Sequence, residues 1–359
     1  MALRVIGIMS GSSLDGIDLA YCTFDHAEGR IKWSIDDARM IHFSNEWISK
    51  LREAPSLNGY DLMKLDAEFG IYVGEAVRQW MDEKILKPDL IASHGHTIFH
   101  EPHLHFTTQI GSGAHIAVIT GIDTINHFRQ ADVAAGGQGA PFAPIADRDL
   151  FSGYDGFLNL GGIANFSIQL PGQIWKAWDI CPCNQALNFL ASKIEKRYDE
   201  DGTLAATGKI DATLLKKLKA SFPASANAKP SLSNSKVEST WIDLLSTYHA
   251  NINDLLATTI ASIAQLINEH IASVQKTKAN ILVTGGGAHN SFLLQQLNAF
   301  GKSNSISFEK PDDQIIDFKE SLLMAYLGYL SFNRQPFGIA SITGAKHDTI
   351  GGSFHKANP

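Results

Sequence analysis

Three times in this chain a short apolar run feeds directly into a turn built largely of glycine and other small residues. The turns are residues 7–18 (G-I-M-S-G-S-S-L-D-G-I-D), 159–165 (N-L-G-G-I-A-N) and 284–290 (T-G-G-G-A-H-N). Glycine weakens a buried strand, so glycines at such points mark sharp turns or places where something approaches the backbone closely. Around the turns the chain repeats itself in outline. Strand patterns at 4–9, 17–24 and 32–43 precede a helical pattern over 61–86. There Leu62, Leu65, Phe69, Val73, Val77 and Met81 share one face. Short apolar runs at 90–93, 108–110 and 115–119 then read as strands. A second set begins with strands at 157–160, 165–170 and 174–180. It continues with helices at 184–198, 212–222 and 243–274, a buried strand at 281–284, and helices at 291–300 and 317–333. Two α/β halves of similar order, each with a glycine hairpin near its start, predict a duplicated domain with a cleft between the halves.

The bulk properties agree. A chain of 359 residues with 44% hydrophobic and 19% charged residues can build two domains with real cores. The net charge is −7 and no Lys/Arg run exceeds two residues, so nucleic acid is not an expected partner. The most apolar long segment, 255–274, contains Gln265, Asn268, Glu269 and His270, which speaks against a membrane span. The opening M-A-L-R-V-I-G enters a strand without a signal peptide's long apolar region, and three cysteines are too few for a disulfide framework. The cytoplasm is the expected compartment. Residues 224–239, rich in Ser, Ala, Asn and Lys, read as an exposed loop.

The first turn carries two carboxylates among its small residues. Successive backbone N–H groups in such a turn form a positive concavity for an anion, and Asp15 and Asp18 can hold a cation beside it, directly or through water. A plain turn with solvated carboxylates fits the same letters. In the third turn Asn290 or Ser291 caps the following helix. Nucleotide fingerprints of the usual kinds are missing: Gly301-Lys302-Ser303 resembles the end of a P-loop, but Gln296 stands where its first glycine belongs. Asp179, at the end of a strand before Pro182, is a natural general base or else a helix cap, with Asn184 opening the next helix as its N-cap. Cys181-Pro182-Cys183 fits neither redox nor zinc spacing, and small buried thiols are the simpler reading. His94, His96, His100, His103 and His105 suggest either a metal hydrolase or polar loop residues, His94 among them touching substrate. In residues 126–144, Arg129 can fork onto a carboxylate and Asp132 can pair with it. Glu320 lies in the first turn of the 317–333 helix, where its charge suits the dipole.

Taken together, M-S-G-S-S-L-D-G-I-D, S-H-G-H-T, F-R-Q-A-D-V-A-A-G-G-Q-G-A-P, N-L-G-G-I-A-N, G-G-G-A-H-N and S-I-T-G-A resemble the anhydro-N-acetylmuramic acid kinases, in order, over about residues 6–352. The resemblance implies a fold of two duplicated ribonuclease-H-like α/β lobes, as in the sugar kinase, heat-shock ATPase and actin superfamily. The lobes are expected at 1–128 with about 338–359, and at 129–337. It implies ATP and Mg²⁺ as cofactors and an amino sugar as the partner, with a homodimer as candidate assembly. The reaction opens the 1,6-anhydro ring of anhydro-N-acetylmuramic acid with water and phosphorylates O6, in cell-wall recycling.

By the same resemblance ATP meets Gly11, Ser12, Ser13, Leu14, Asp15, Gly16, Ile17 and Asp18, then Gly161 and Gly162, then Gly285, Gly286 and Gly287. Mg²⁺ lies by Asp15 and Asp18 through water. Asp179 matches the family's base, Glu320 matches a glutamate near the sugar and nucleotide, and His94, Arg129 and Asn165 line the sugar side. The chain departs from the family where D-T-G-P-G-N becomes Asp179-Ile180-Cys181-Pro182-Cys183-Asn184, which puts sulfur near the base and points to a reshaped sugar pocket. Residues 229–238 also depart, and no contact is carried over there. A non-catalytic ATP-binding relative and a kinase for another sugar are the competing readings.

Overall fold

Val5, Ile6 and Ile8 are fully or almost fully buried in the first strand, as their β-branched side chains favour. In the computed structural model, which describes residues 2–11, 13–27, 29–170, 174–223, 232, 234–275 and 277–357, that strand is β1 (Leu3–Ser10). It is followed by β2 (Gly16–Ala27), β3 (Arg30–His42), β4 (Leu90–Glu101), β5 (Phe106–Ile110) and β6 (Thr124–Asn126). The second set is β7 (Gly156–Leu160), β8 (Ile163–Leu170), β9 (Ile174–Pro182), β10 (Ala279–Thr284) and β11 (Ile306–Glu309), and β12 (Ser353–His355) closes the chain's strands.

Contacts divide the chain into one unit of Met1–Ser152 with Phe318–Pro359 and a second of Gly153–Asp317. In the first, the sheet order is β12-β6-β4-β1-β2-β3, with β5 on β4. The strands β1, β2 and β3 form an antiparallel meander, while β4 runs parallel to β1 and β6 parallel to β4. In the second, the order is β11-β10-β7-β8-β9, again an antiparallel meander with two parallel strands added beyond its first member. The two sheets therefore share one ribonuclease-H-like topology, and the duplication expected from the sequence is present.

Each unit places a long helix between its third strand and the parallel fourth, as a parallel crossover requires. Helix Gly59–Lys84 is capped by Asn58, whose side chain accepts from the Asp61 N–H at 3.0 Å. It buries Leu65, Phe69, Val73, Val77 and Trp80 in a core with Ile6, Ile8 and Ile91. Helix Ile252–Val274 is capped by Asn251, and its Leu256, Ile260, Ile263, Ile267 and Ile271 are fully buried with Leu158, Phe166 and Ile281.

Several expectations are corrected. Residues 115–119 are not a strand but part of helix Gly113–Thr120, because a short apolar run flanked by glycines fits either state and Gly121, at φ 71°, closes a helix. The strand expected at 90–93 continues to Glu101, carrying the H-G-H residues into the sheet. Residues 243–274 form two helices, Asp243–Thr247 and Ile252–Val274, because Tyr248 turns extended. In the 224–239 stretch, 224–231 and 233 lie outside the described residues. From Asn234 the chain is helical, not an exposed loop: Val237 is buried, and Trp241 sits in the core with its indole N–H on Leu218 O at 3.1 Å.

Helix Asp313–Phe332 begins earlier than expected and kinks at Phe318 (φ −117°, ψ 17°). The contact boundaries fall at 152/153 and 317/318 rather than 128/129 and 337/338. Helix Ala143–Leu150 packs with β3, Trp33 donates to Leu150 O at 2.9 Å, and its ring meets Phe151 edge-on at 5.2 Å.

Candidate active site

The first glycine turn joins β1 to β2, whose register runs from Leu3↔Phe24 to Ser10↔Ile17. Ser12 lies outside the described residues. Leu14 takes the left-handed conformation (φ 59°), uncommon for a branched side chain, and packs against the first unit's core. Its N–H reaches Gly11 O at 3.4 Å, and the Asp15 carbonyl accepts from Phe43 N–H at 3.1 Å. Ile17 is fully buried, so of this residue only the backbone can meet a ligand. Ser13 and Asp15 are exposed, and Asp18 is half-buried. Two carboxylates on a turn of small residues are a donor set that suits Mg²⁺, which keeps several of its own waters. Among the described residues no group of three or more His, Cys, Asp or Glu is disposed to hold a metal ion.

The second and third turns pack on each other within the second unit. A Cβ on Gly285, which sits at φ 82°, would lie 2.5 Å from Asn159 Oδ1 and 2.9 Å from the Leu160 carbonyl carbon. A Cβ on Gly287 would lie 2.7 Å from Leu160 Cβ. Both positions therefore exclude any side chain, while a Cβ on Gly286 would meet nothing closer than Asn184 Nδ2 at 3.8 Å. The Gly161-Gly162 turn is held from behind: Cys183, Asn184 and Gln185 donate their N–H groups to the Gly161 and Gly162 carbonyls at 2.8–3.1 Å. Asn184 is not the N-cap, which is Cys183; its amide instead donates to Leu160 O at 2.9 Å and clamps the turn. Asn290 does cap helix Ser291–Gly301, accepting from Leu293 N–H at 2.9 Å.

Asp179 lies inside β9, which continues to Pro182. It pairs with Asn165, and the register then skips Ile180 so that Cys181 faces Ala164. A bulge of this kind twists a strand and re-aims its side chains. Asp179 is half-buried and accepts from Leu232 N–H at 2.7 Å, so it caps no helix. Cys181 and Cys183 are fully buried in the core with Leu187 and Ile180, and Cys183 has φ −128°. Their sulfurs fill core volume.

In the first unit, His94, Arg129 and Glu320 form one neighbourhood. Arg129 Nε donates to His94 Nε2 at 3.0 Å and Nη1 to Gly139 O at 2.7 Å, with the guanidinium over Phe142 at 5.9 Å. Burial lowers the Arg129 pKa and the nearby Glu320 carboxylate pulls it back up. Glu320 is exposed at its residue surface, yet the protein packed around its carboxyl raises the pKa, opposed by Arg129 and Lys319. Lys319 pairs with the buried Asp147 at 2.8 Å. Because the helix breaks at Phe318, Glu320 lies in the first turn of the segment that follows, where its charge suits the dipole.

Asp132 is not paired with Arg129. Its buried carboxylate accepts from Gly139 N–H and from the Thr343 hydroxyl, each at 2.7 Å, joining two motifs far apart in sequence. Nothing in the letters places 343 beside 132. The other histidines are engaged singly: His96 Nδ1 meets Ser10 Oγ at 2.9 Å, His100 meets Thr107 Oγ1 at 3.0 Å, and His103 lies 3.5 Å from Glu101.

A family model described as anhydro-N-acetylmuramic acid kinase matches residues 3–357. A protein of that name from Sulfurovum sp. (strain NBC37-1) is 30% identical over 364 residues, covering 98% of this chain and 99% of that protein. Another, from Pasteurella multocida (strain Pm70), is 31% identical and covers 95% of this chain and 93% of its own length. Among solved structures, the activator of the 2-hydroxyisocaproyl-CoA dehydratase from Clostridium difficile with bound ADPNP covers 92% of this chain and 96% of that one, at 13% identity and a TM-score of 0.45, too distant to carry an argument. With glycine turns matching those of the family in order and a family match across nearly its whole length, this chain belongs to the anhydro-N-acetylmuramic acid kinase family.

Proposed function

We propose that this protein is an ATP-dependent kinase that opens 1,6-anhydro-N-acetylmuramic acid with water and phosphorylates O6, giving N-acetylmuramic acid 6-phosphate and ADP. The family match across residues 3–357 is the observation that carries the reading. Asp179 takes a proton from water as the water oxygen bonds to the anomeric carbon. The bond from that carbon to O6 breaks, and O6 takes the γ-phosphoryl group as ADP leaves; the proton on Asp179 then returns to solvent. Because phosphoryl transfer draws off the charge developing on O6, no separate acid is required. The bulge beside Asp179 and the Leu232 N–H that fixes its Oδ2 support the assignment, since a base must be aimed before its pKa matters.

The backbone of residues 11–18, 161–162 and 285–287 receives the triphosphate, with Ser12 included by the motif. Asp15 and Asp18 would hold Mg²⁺ through water, and the ion would supply charge neutralisation on the phosphates. Arg129 takes the carboxylate of the sugar's acid side chain, with Asn165 and Glu320 near the ring. The expected setting is cytoplasmic, with small molecules rather than nucleic acid as partners and a homodimer as candidate assembly. No helix among the described residues is long and apolar enough to cross a membrane. Incubation of Mg-ATP and the anhydro sugar with wild type and Asp179→Asn tests the reading. Phosphorylated sugar from wild type and a kcat about 10²–10⁴-fold lower in the variant is expected. Undiminished turnover in the variant would assign the base elsewhere.

A further inference from the structure

His94 reads from the sequence as a side chain that touches the sugar, yet both of its ring nitrogens are committed within the protein. Arg129 Nε–H can only donate, so His94 Nε2, at 3.0 Å, is an acceptor and carries no proton. The remaining proton sits on Nδ1 and is donated to the Gly95 carbonyl at 2.9 Å. Gly95 makes that carbonyl available: it stands at φ 74°, and a Cβ there would lie 2.5 Å from Ile110 O, so only glycine fits. The imidazole is 4% exposed, and burial, then the charge of Arg129, pushes its pKa down to about 3. A protonated ring here would face the guanidinium with a second positive charge and nothing to accept from it.

We propose that His94 is a positioning residue: a neutral, tautomer-locked acceptor that aims the Arg129 guanidinium and makes no hydrogen bond to the sugar itself. Two contacts fix the arginine, Nε on His94 and Nη1 on Gly139 O, which directs the remaining Nη2 edge of the fork. Among the described residues Nη2 donates no hydrogen bond, and one edge of a guanidinium is what a substrate carboxylate requires. The inference rests on the reading of Arg129 as the group that meets the sugar, and the experiment separates the two.

His94→Gln places Oε1 where Nε2 was and keeps an acceptor, whereas His94→Leu removes it. The leucine variant is expected to raise the sugar KM about tenfold or more, with the ATP KM unchanged. The glutamine variant is expected to stay within about threefold of wild type. In an Arg129→Ala background, His94→Leu should add nothing further. A sugar KM unchanged by His94→Leu while Arg129→Ala impairs it overturns the proposal, as do additive effects of the two substitutions. If Arg129→Ala itself leaves the sugar KM untouched, the arginine's assignment fails instead. The positioning claim is then decided by ¹⁵N histidine spectra of the wild-type protein between about pH 5.5 and 8. A neutral Nδ1–H ring at His94 that changes tautomer in Arg129→Ala is the expected result; a charged ring or an Nε2–H tautomer in wild type overturns it.

Discussion

A thiol reacts as its thiolate, so burial that disfavours the charge also silences the chemistry. Burial pushes the thiols of Cys22 and Cys181 well above the ordinary range and that of Cys183 up to about 12. All three are fully buried. At pH about 8 the native protein should therefore leave Ellman's reagent unreacted, and all three thiols should titrate once the chain is unfolded. Rapid reaction in folded protein that peptide mapping assigns to Cys181 or Cys183 would show that the 181–183 segment opens, and would revive a site role for those sulfurs. Arg129 stands out as a charge beside a glycine-rich stretch, Asp179 as a carboxylate in a strand ahead of a proline, and Glu320 through its resemblance to a family glutamate. What they touch did not: sequence offered Asp132 as the partner of Arg129, whereas the actual acceptors are His94 Nε2 and Gly139 O. A hydrogen bond between side chains dozens of residues apart leaves no periodicity behind, and a backbone carbonyl has no letter at all.

Long elements declared themselves through their apolar stripes, and short ones did not. The two long crossover helices were readable because many turns of buried residues repeat the helical period. The letters do not separate helix Gly113–Thr120 from a strand or mark the helices Asn45–Glu53, Gln130–Ala134 and Ala143–Leu150, because so few turns hold too few residues to show a period. Short segments nonetheless carry the tie between two distant motifs. Asp132, in helix Gln130–Ala134, holds Gly139 N–H with one oxygen and the Thr343 hydroxyl of helix Ala340–Thr343 with the other. The two lone-pair demands are not equal. Gly139 N–H can only donate, while Thr343 Oγ1 has a second acceptor, Ile339 O at 3.3 Å, and can turn its hydroxyl proton there.

Asp132→Asn can then accept from Gly139 with its oxygen and donate to Thr343 with its amide, and should cost about 1 kcal/mol. Asp132→Ala strands a buried N–H, and a loss of about 2–4 kcal/mol in urea unfolding is expected. Because Gly139 O holds Arg129 Nη1, the alanine variant should also raise the sugar KM more than the ATP KM. Equal losses from Asn and Ala would mean that the charge of Asp132, rather than its geometry, holds the tie.

The duplicated sheet makes the two units alike in topology, but their buried chemistry differs, and acid should tell them apart. In His94, His96, His100, His127 and His355 burial is the foremost cause of a lowered ring pKa, and all five lie in the first unit. A ring whose folded pKa is below its ordinary value of 6.5 stays neutral in the native state while the unfolded chain protonates. The unfolded state thus binds more protons, and the associated stability is complete above about pH 6.5 and is lost as pH falls below it. For His94 the loss continues to about pH 3, at roughly 1.4 kcal/mol per pH unit, or roughly 4–5 kcal/mol in all. Glu320 has the opposite sign, since a raised carboxyl pKa returns some stability on acidification, but it is one group against five.

The carboxylates whose pKa is lowered by exposed partners, such as Glu46 and Asp313, act only below about pH 4.5 and are screened by solvent. Between about pH 7.5 and 5 the histidines therefore decide. Amide exchange followed by mass spectrometry, corrected for intrinsic rate, should show protection falling first across β4, β6 and β12. There His355 Nε2 meets Asn126 Oδ1 at 3.0 Å, and strands β7 and β10 of the second unit, which carry no histidine, should hold their protection. Simultaneous loss in both units, or earlier loss in those two strands, would mean that the five histidines of the first unit do not set the acid limit of this fold.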